Sequence, residues 1–346
     1  MALPRLLVPV LALVALGAMP VEAGVMRSST EKVAMRQDAG YQALIDAANA
    51  VVGVKVKALA NARSNETLGA ERIGSGVVIG SDGLVLTIGY LIMEADQVEV
   101  NDSDGTSIPA TVVAYDHATG FGLVRPMKKL APKPIRIGTS APVAQLDRLM
   151  IVTGGDEQTL SIATVVSRRQ FAGYWEYLID GAIFTSPPRL DHSGAALINK
   201  DGELVGVGSL LVMDALNPGE RMPGNMFVPV DLLKPVLDNL VRTGGSHAAP
   251  RPWLGVNSLE EDGRVKVMQV NEESPADVAG ITAGDIILKV NGEPVDCLEK
   301  FYGKLWSAGA RPGNDVHLTV LHGVSLREVI VRSIERQEYM RRKPTV

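Results

Sequence analysis

The chain of 346 residues is long enough for about two domains. Its composition, 46% hydrophobic and 21% charged, falls outside the ranges of disordered, collagen-like and disulfide-scaffold chains, and one cysteine, Cys297, excludes an internal disulfide and a cysteine-built metal site. A formal charge of −5 with no basic block argues against a nucleic-acid partner, and the histidines at 117, 192, 247, 317 and 322 show no zinc-helix spacing, so neither a metal nor another cofactor is expected.

Residues 1–23 read as a secretory signal peptide. Arg5 supplies the positive start, Leu6 to Ala18 the apolar run, and Val21-Glu22-Ala23 the small-residue cleavage site. The run is shorter than the ~20 residues of a membrane span, and no later stretch is apolar enough, so no transmembrane segment is expected after its removal. The predicted location is the periplasm of a bacterium, with an uncleaved N-terminal anchor as the alternative.

Residues 24–50 form an N-terminal segment predicted to be helical from Ser28, with Tyr41, Leu44, Ile45 and Ala48 at helical spacing. From Val51 the texture changes to short β-branched runs, among them 51–59, 76–80, 84–89, 97–100, 111–115, 121–126, 148–155, 160–169, 194–199 and 203–212. Turn signals such as Ser81-Asp82-Gly83 and Lys200-Asp201-Gly202 separate them, which argues for an all-β barrel or sandwich over 51–241. A helix within Pro229 to Val241 closes this region, with Asp231 as its N-cap and Gly244-Gly245 ending it. Residues 242–252, RTGGSHAAPRP, read as a linker. A second unit over 253–335 is predicted to have strands near 264–270, 285–290 and 315–321, with helices near 275–280 and from Cys297 to Ala308. Residues 336–346 read as a charged, solvated tail or a frayed helix.

Three segments carry a family resemblance: GSGVVIGSDGLVLT (74–87), NMFVPVDLLKPVLDNLVRTG (225–244), and RPWLGV (251–256) followed by ESPADVAGITAGDIILKVNGEPV (273–295). With these the chain resembles the HtrA/DegP-like periplasmic serine proteases from about Tyr41 to Glu335. The resemblance implies a mainly β fold, a trypsin-like double β-barrel followed by an α+β PDZ domain. Family members assemble as trimers through N-terminal aromatic residues, and residues 24–50 offer Tyr41 alone, which leaves the oligomeric state open.

The same resemblance locates a triad that is incomplete. The family's T-x-x-H-V-V pattern falls on Thr87 to Ile92, placing Tyr90 at the histidine position. The aspartate position falls on Gly120, and the nucleophile motif on Asp191-His192-Ser193-Gly194, which keeps Ser193 and puts Asp191 at the oxyanion-hole glycine. A phenol of pKa near 10 is a poor base for a serine hydroxyl at pH 7, and a glycine orients nothing. His117 and His192 are the candidates for a replacement base. Tyr90 reads best as a packed aromatic with a satisfied hydroxyl.

The resemblance also places a carboxylate-binding loop at Trp253, Leu254, Gly255 and Val256, with Leu254 and Val256 lining a pocket for an apolar terminal side chain. The expected function is an exported pseudoprotease acting as a peptide-binding chaperone, scaffold or adaptor. Its partners would be unfolded or C-terminal segments of envelope proteins, a partner protease or further copies of the chain, with Val346 as a candidate self-ligand. A weakly active serine endopeptidase using Ser193 with an unconventional base is the alternative.

Overall fold

The computed structural model describes residues 40–341 except 103–104, 156–157 and 245–249. The signal peptide, most of the N-terminal segment, the linker centre and Val346 therefore lie outside the described residues. Of the predicted helix over 28–50, residues 40–49 are described and helical (α1).

Alternation builds the first barrel. β1 (Val51–Ala58), β2 (Glu71–Val78), β3 (Val85–Ile88), β4 (Ala95–Asn101), β5 (Ser107–Tyr115) and β6 (Phe121–Pro126) close in the order β1-β2-β3-β6-β5-β4. Two short helices interrupt it, α2 (Asn65–Leu68) and α3 (Gly89–Ile92). β6 is apolar on both faces because it packs in a core shared by Val54, Leu86, Ile88 and Phe121.

The second sheet contains β7 (Arg136–Ile137), β8 (Arg148–Thr153), β9 (Thr159–Gly173), β10 (Tyr177–Ser186), β11 (Ala196–Ile198), β12 (Glu203–Val212) and β13 (Gly224–Pro229). Its order is β11-β8-β9-β10-β13-β12-β7, and a further pairing of β11 with β12 closes it on itself around Ile151, Ile183, Leu197 and Phe227.

The closing helix differs from expectation. Val230–Leu232 form a 3-10 turn, and α4 (Leu237–Thr243) starts after Val236 rather than at Asp231. The Asp231 carboxylate is instead drawn to the loop before β8, where it accepts from Ser140 N, Ser140 Oγ and Ala141 N, each at 2.8 Å. Gly244 ends α4 in the left-handed conformation, as the sequence suggests. Arg242 and Thr243 thus belong to the helix, and Pro252 to the next strand, so both ends of the predicted linker are structured.

The remaining elements are β14 (Pro252–Trp253), β15 (Val256–Glu261), β16 (Arg264–Val270), α5 (Pro275–Val278), β17 (Ile286–Val290), β18 (Glu293–Pro294), α6 (Leu298–Leu305), β19 (Asp315–His322), β20 (Ser325–Arg332) and β21 (Ile334–Glu335). β15-β16-β17-β19-β20 form one sheet with β15 at its edge, and α6 buries Phe301, Tyr302 and Leu305 against it. α6 is shorter than predicted, and Cys297 is its N-cap, with Sγ accepting from Lys300 N.

The predicted solvated tail is docked. α7 (Arg336–Tyr339) sets the Tyr339 ring between the Arg63 guanidinium, 4.1 Å from its centroid, and Trp253, 4.7 Å between centroids. An amphipathic tyrosine beside a cation and an indole has more to gain from packing than from water. Among the described residues no helix is long and apolar enough to cross a membrane.

Candidate functional site

Ser193 sits on the turn between β10 and β11. Strand β2 fixes that turn: Ser75 N donates to Ser193 O at 2.8 Å, and Thr87 Oγ1 donates to Ser75 O at 2.7 Å. Gly194, at φ +74, lets the two pass, since a Cβ there would lie 2.0 Å from Ser75 O.

Tyr90 reaches this serine from α3. Arg72, buried beneath that helix, donates to Tyr90 O at 3.0 Å, Met93 O at 2.7 Å, Gly69 O at 3.0 Å and Ser64 Oγ at 2.7 Å, and so sets where α3 ends. The Tyr90 hydroxyl lies 2.7 Å from Ser193 Oγ and 2.7 Å from Ser209 O. A phenol has one proton, and a carbonyl only accepts. Both contacts are satisfied when that proton points at Ser209 O and the Ser193 hydroxyl donates to the phenol oxygen. Burial of the hydroxyl end pushes the Tyr90 phenol up to about 12, so about one molecule in 100,000 carries a phenolate at pH 7.

A second tyrosine fills the space beside it. Tyr177 of β10 is buried and donates through its hydroxyl to Thr119 O at 2.8 Å. Gly120 has φ +81, and a Cβ on it would lie 2.6 Å from the Tyr177 hydroxyl. No side chain can start there without displacing that ring.

Among the described hydrogen bonds neither histidine is joined to Ser193. His192 Nδ1 contacts Arg189 O at 3.0 Å, and burial lowers its pKa. His117 packs tilted against Tyr115 at 4.1 Å between centroids, with its Nδ1 buried and unpartnered. It lines a small cavity with Arg251 and Arg336, and burial, aided by Arg336, lowers it to about 3. Asp116 spends its carboxylate inside its own loop, accepting from Ala118 N, Thr119 N and Thr119 Oγ1.

Asp191, on the same turn as Ser193, pairs its carboxylate with Arg189 and accepts from Thr153 Oγ1 at 3.0 Å. Partial burial works against ionisation, but these partners outweigh it and hold the carboxyl below its usual range.

The loop Trp253–Val256 presents three consecutive backbone N–H groups to one carboxylate, that of Glu176 at the tip of the β9–β10 hairpin. Oε1 accepts from Gly255 N at 2.7 Å and Val256 N at 3.0 Å, and Oε2 accepts from Leu254 N at 3.0 Å. Gly255, at φ +90, is required by Ser274, whose Cβ would lie 2.3 Å from an added Cβ. Leu254 and Val256 turn into the core of their own sheet rather than lining an open pocket. Burial pushes the Glu176 carboxyl up to about 7, against the pull of the three donors.

Residues 74–207 match the trypsin-like peptidase domain family and residues 252–332 the PDZ domain family. Over 291 residues the chain is 29% identical to the serine endoprotease DegS of Haemophilus influenzae, covering 80% of this chain and 81% of that one. The chain belongs to the HtrA/Deg family. It is 26% identical to a probable periplasmic serine endoprotease, DegP-like, of Halomonas elongata over 75% of its own length, and spans 56% of that relative. Two solved structures share the HtrA/Deg fold. One is the serine endoprotease from Yersinia pestis (24% identity, TM-score 0.53, 86% of this chain and 97% of that one). The other is the HtrA-type protease AlgW with a tripeptide (20%, 0.52, 88% and 98%).

In this HtrA/Deg chain three residues that matter to the site escaped sequence reasoning. Tyr177 and Glu176 stand in the aromatic hairpin Tyr174-Trp175-Glu176-Tyr177 and Arg72 on β2, and no motif covers these positions. A tip carrying three aromatic residues was the available signal, since such a tip seeks a partner. Among the described residues one trio brings metal-ligand types together, Glu260, Cys297 and Glu299, with ligand atoms within 4.8 Å of one another. Burial raises the Cys297 thiol, which leaves it less able to ligate.

Proposed function

We propose that this HtrA/Deg protein is an exported pseudoprotease whose working site is the PDZ domain, acting as a peptide-binding adaptor or chaperone in the periplasm. Tyr90 and Gly120 stand at the positions of the family's histidine and aspartate, and Ser193 is a remnant nucleophile.

The observation that carries the reading is the Ser193–Tyr90–Ser209 chain of hydrogen bonds. A general base must hold a lone pair near its working pH. Here the hydroxyl facing Ser193 belongs to a phenol of pKa about 12, and Tyr177 occupies the place from which an orienting carboxylate would reach. Loss of triad members costs a serine protease on the order of 10⁶ in turnover.

The peptide part rests on two supports. Residues 252–332 match a PDZ domain, and three adjacent N–H groups converge on a carboxylate, the arrangement by which such loops hold a C-terminus. Among solved structures of this fold are AlgW with a tripeptide and AlgW with a decapeptide. The periplasmic assignment follows the names of relatives and the signal-like residues 1–23.

The test is casein cleavage by the chain lacking residues 1–23, beside its Ser193→Ala variant. Equal background rates and no fluorophosphonate labelling of Ser193 are expected. Cleavage that Ser193→Ala abolishes would overturn the pseudoprotease reading and send the search for a base to His117 and His192.

A further inference from the structure

A sheet edge flanked by a helix is where PDZ domains add a peptide strand, and here β15 is that edge and α6 that helix. The β9–β10 hairpin of the barrel already lies against both. Ser258 N on β15 donates to Tyr174 O at 2.7 Å, a strand-addition bond made by the protein's own backbone. On the helix side, Tyr302 donates to Gly173 O at 2.6 Å and lies 3.2 Å from Glu176 N. Ala172 and Leu178 of the hairpin pack on the apolar core beneath. The Glu176 carboxylate then takes all three N–H groups of the loop. Backbone bond, apolar side chains and carboxylate are the three kinds of contact by which an added C-terminal strand is held.

The tip is built in a conformation an L side chain rarely adopts: Glu176 has φ +57. In that turn the carboxylate faces the three donors.

We propose that Glu176 is an internal ligand of the loop Leu254–Val256, and that an extended peptide ending in a free carboxylate and an apolar residue binds only by displacing the hairpin tip 174–176. The inference deepens the peptide-binding reading above and rests on it. The dissociation constant of an outside peptide is divided by the fraction of molecules whose tip is out, so removing the internal carboxylate strengthens binding without adding a contact.

Two measurements on the chain lacking residues 1–23 separate the inference from that reading. The first is amide hydrogen exchange at residues 254–256 and 258. The second is fluorescence polarisation with a labelled decapeptide ending in valine, as free acid and as C-terminal amide. In Glu176→Ala, exchange at these amides rises at least about tenfold and the free acid binds at least about tenfold more tightly than to wild type, while the amide stays weak. Glu176→Gln keeps the side-chain volume and falls between, which holds the comparison if the alanine variant folds poorly. Unchanged exchange with equal peptide affinities overturns the internal ligand and leaves the peptide-binding reading in place. Faster exchange with no binding of the free acid to any variant overturns the peptide-binding reading, and the proposed displacement with it.

Discussion

Replacing Gly120 by alanine tests whether the orienting position is closed by Tyr177 rather than merely vacated. The left-handed conformation at φ +81 costs an L residue about 1–2 kcal/mol. The new Cβ would lie 2.6 Å from the Tyr177 hydroxyl and 3.2 Å from its Cζ, so the ring must move. That movement breaks the hydroxyl's bond to Thr119 O, a loss of about 1 kcal/mol, and disturbs its 5.4 Å stack on Trp175. The sum is about 3 kcal/mol, read as a lower urea midpoint at unchanged slope. Tyr177→Phe alone should cost about 1 kcal/mol, but in the alanine background it removes the nearest clashing atom. The double variant should therefore be more stable than the sum of the single losses by about 1 kcal/mol. A Gly120→Ala chain within about 0.5 kcal/mol of wild type, or additive losses, would refute the reasoning. If it holds, Tyr90→His with Gly120→Asp does not rebuild a protease until Tyr177 is also made small.

Arg72→Met leaves four acceptors around α3 without their donor, and a loss of about 3 kcal/mol or more is expected by calorimetry. Tyr90→Phe frees the Ser193 hydroxyl but supplies no base, so stability should fall by about 1 kcal/mol with casein cleavage still at background. For pH, burial raises the folded pKa of Glu176 to about 7, whereas an unfolded glutamate titrates near 4.3. Between these values the folded state keeps a proton the unfolded chain has lost, so this group's contribution is full below about 4.3 and is lost as pH rises through about 7. Tyr302 and Arg336 face the carboxyl, and Asp116, His117, Arg251 and Glu335 line the adjoining cavity. The difference in melting temperature between wild type and Glu176→Gln isolates the effect, and it should shift against wild type as pH rises; a flat difference would sink the assignment.

Strand periodicity and turn residues made both β units legible, because alternation and Gly-bearing turns are local signals. The same holds for Gly244 and Cys297, each read near a helix end. Asp231 was misread for the opposite reason: capping is local, but its partners Ser140 and Ala141 lie 90 residues away. Positions 90, 120 and 193 could be placed from motifs, yet the proton arrangement among them depends on Ser209 O, which no motif contains. Glu176 carried the weakest signal of all. A glutamate in a hairpin turn is ordinarily solvated, and only its fit to a loop 78 to 80 residues onward buries it.

The docking of α7 has a consequence for synthesis. Arg63 donates to Tyr339 and to Glu272 O, and Glu94 accepts from Arg63 N, Ser64 Oγ and Arg341 N. Residues near the start of the first barrel are thus completed by residues that leave the ribosome some 250 positions later. Until then the barrel waits with an arginine unstacked, and a nascent chain stalled before position 336 lacks the partners that close it.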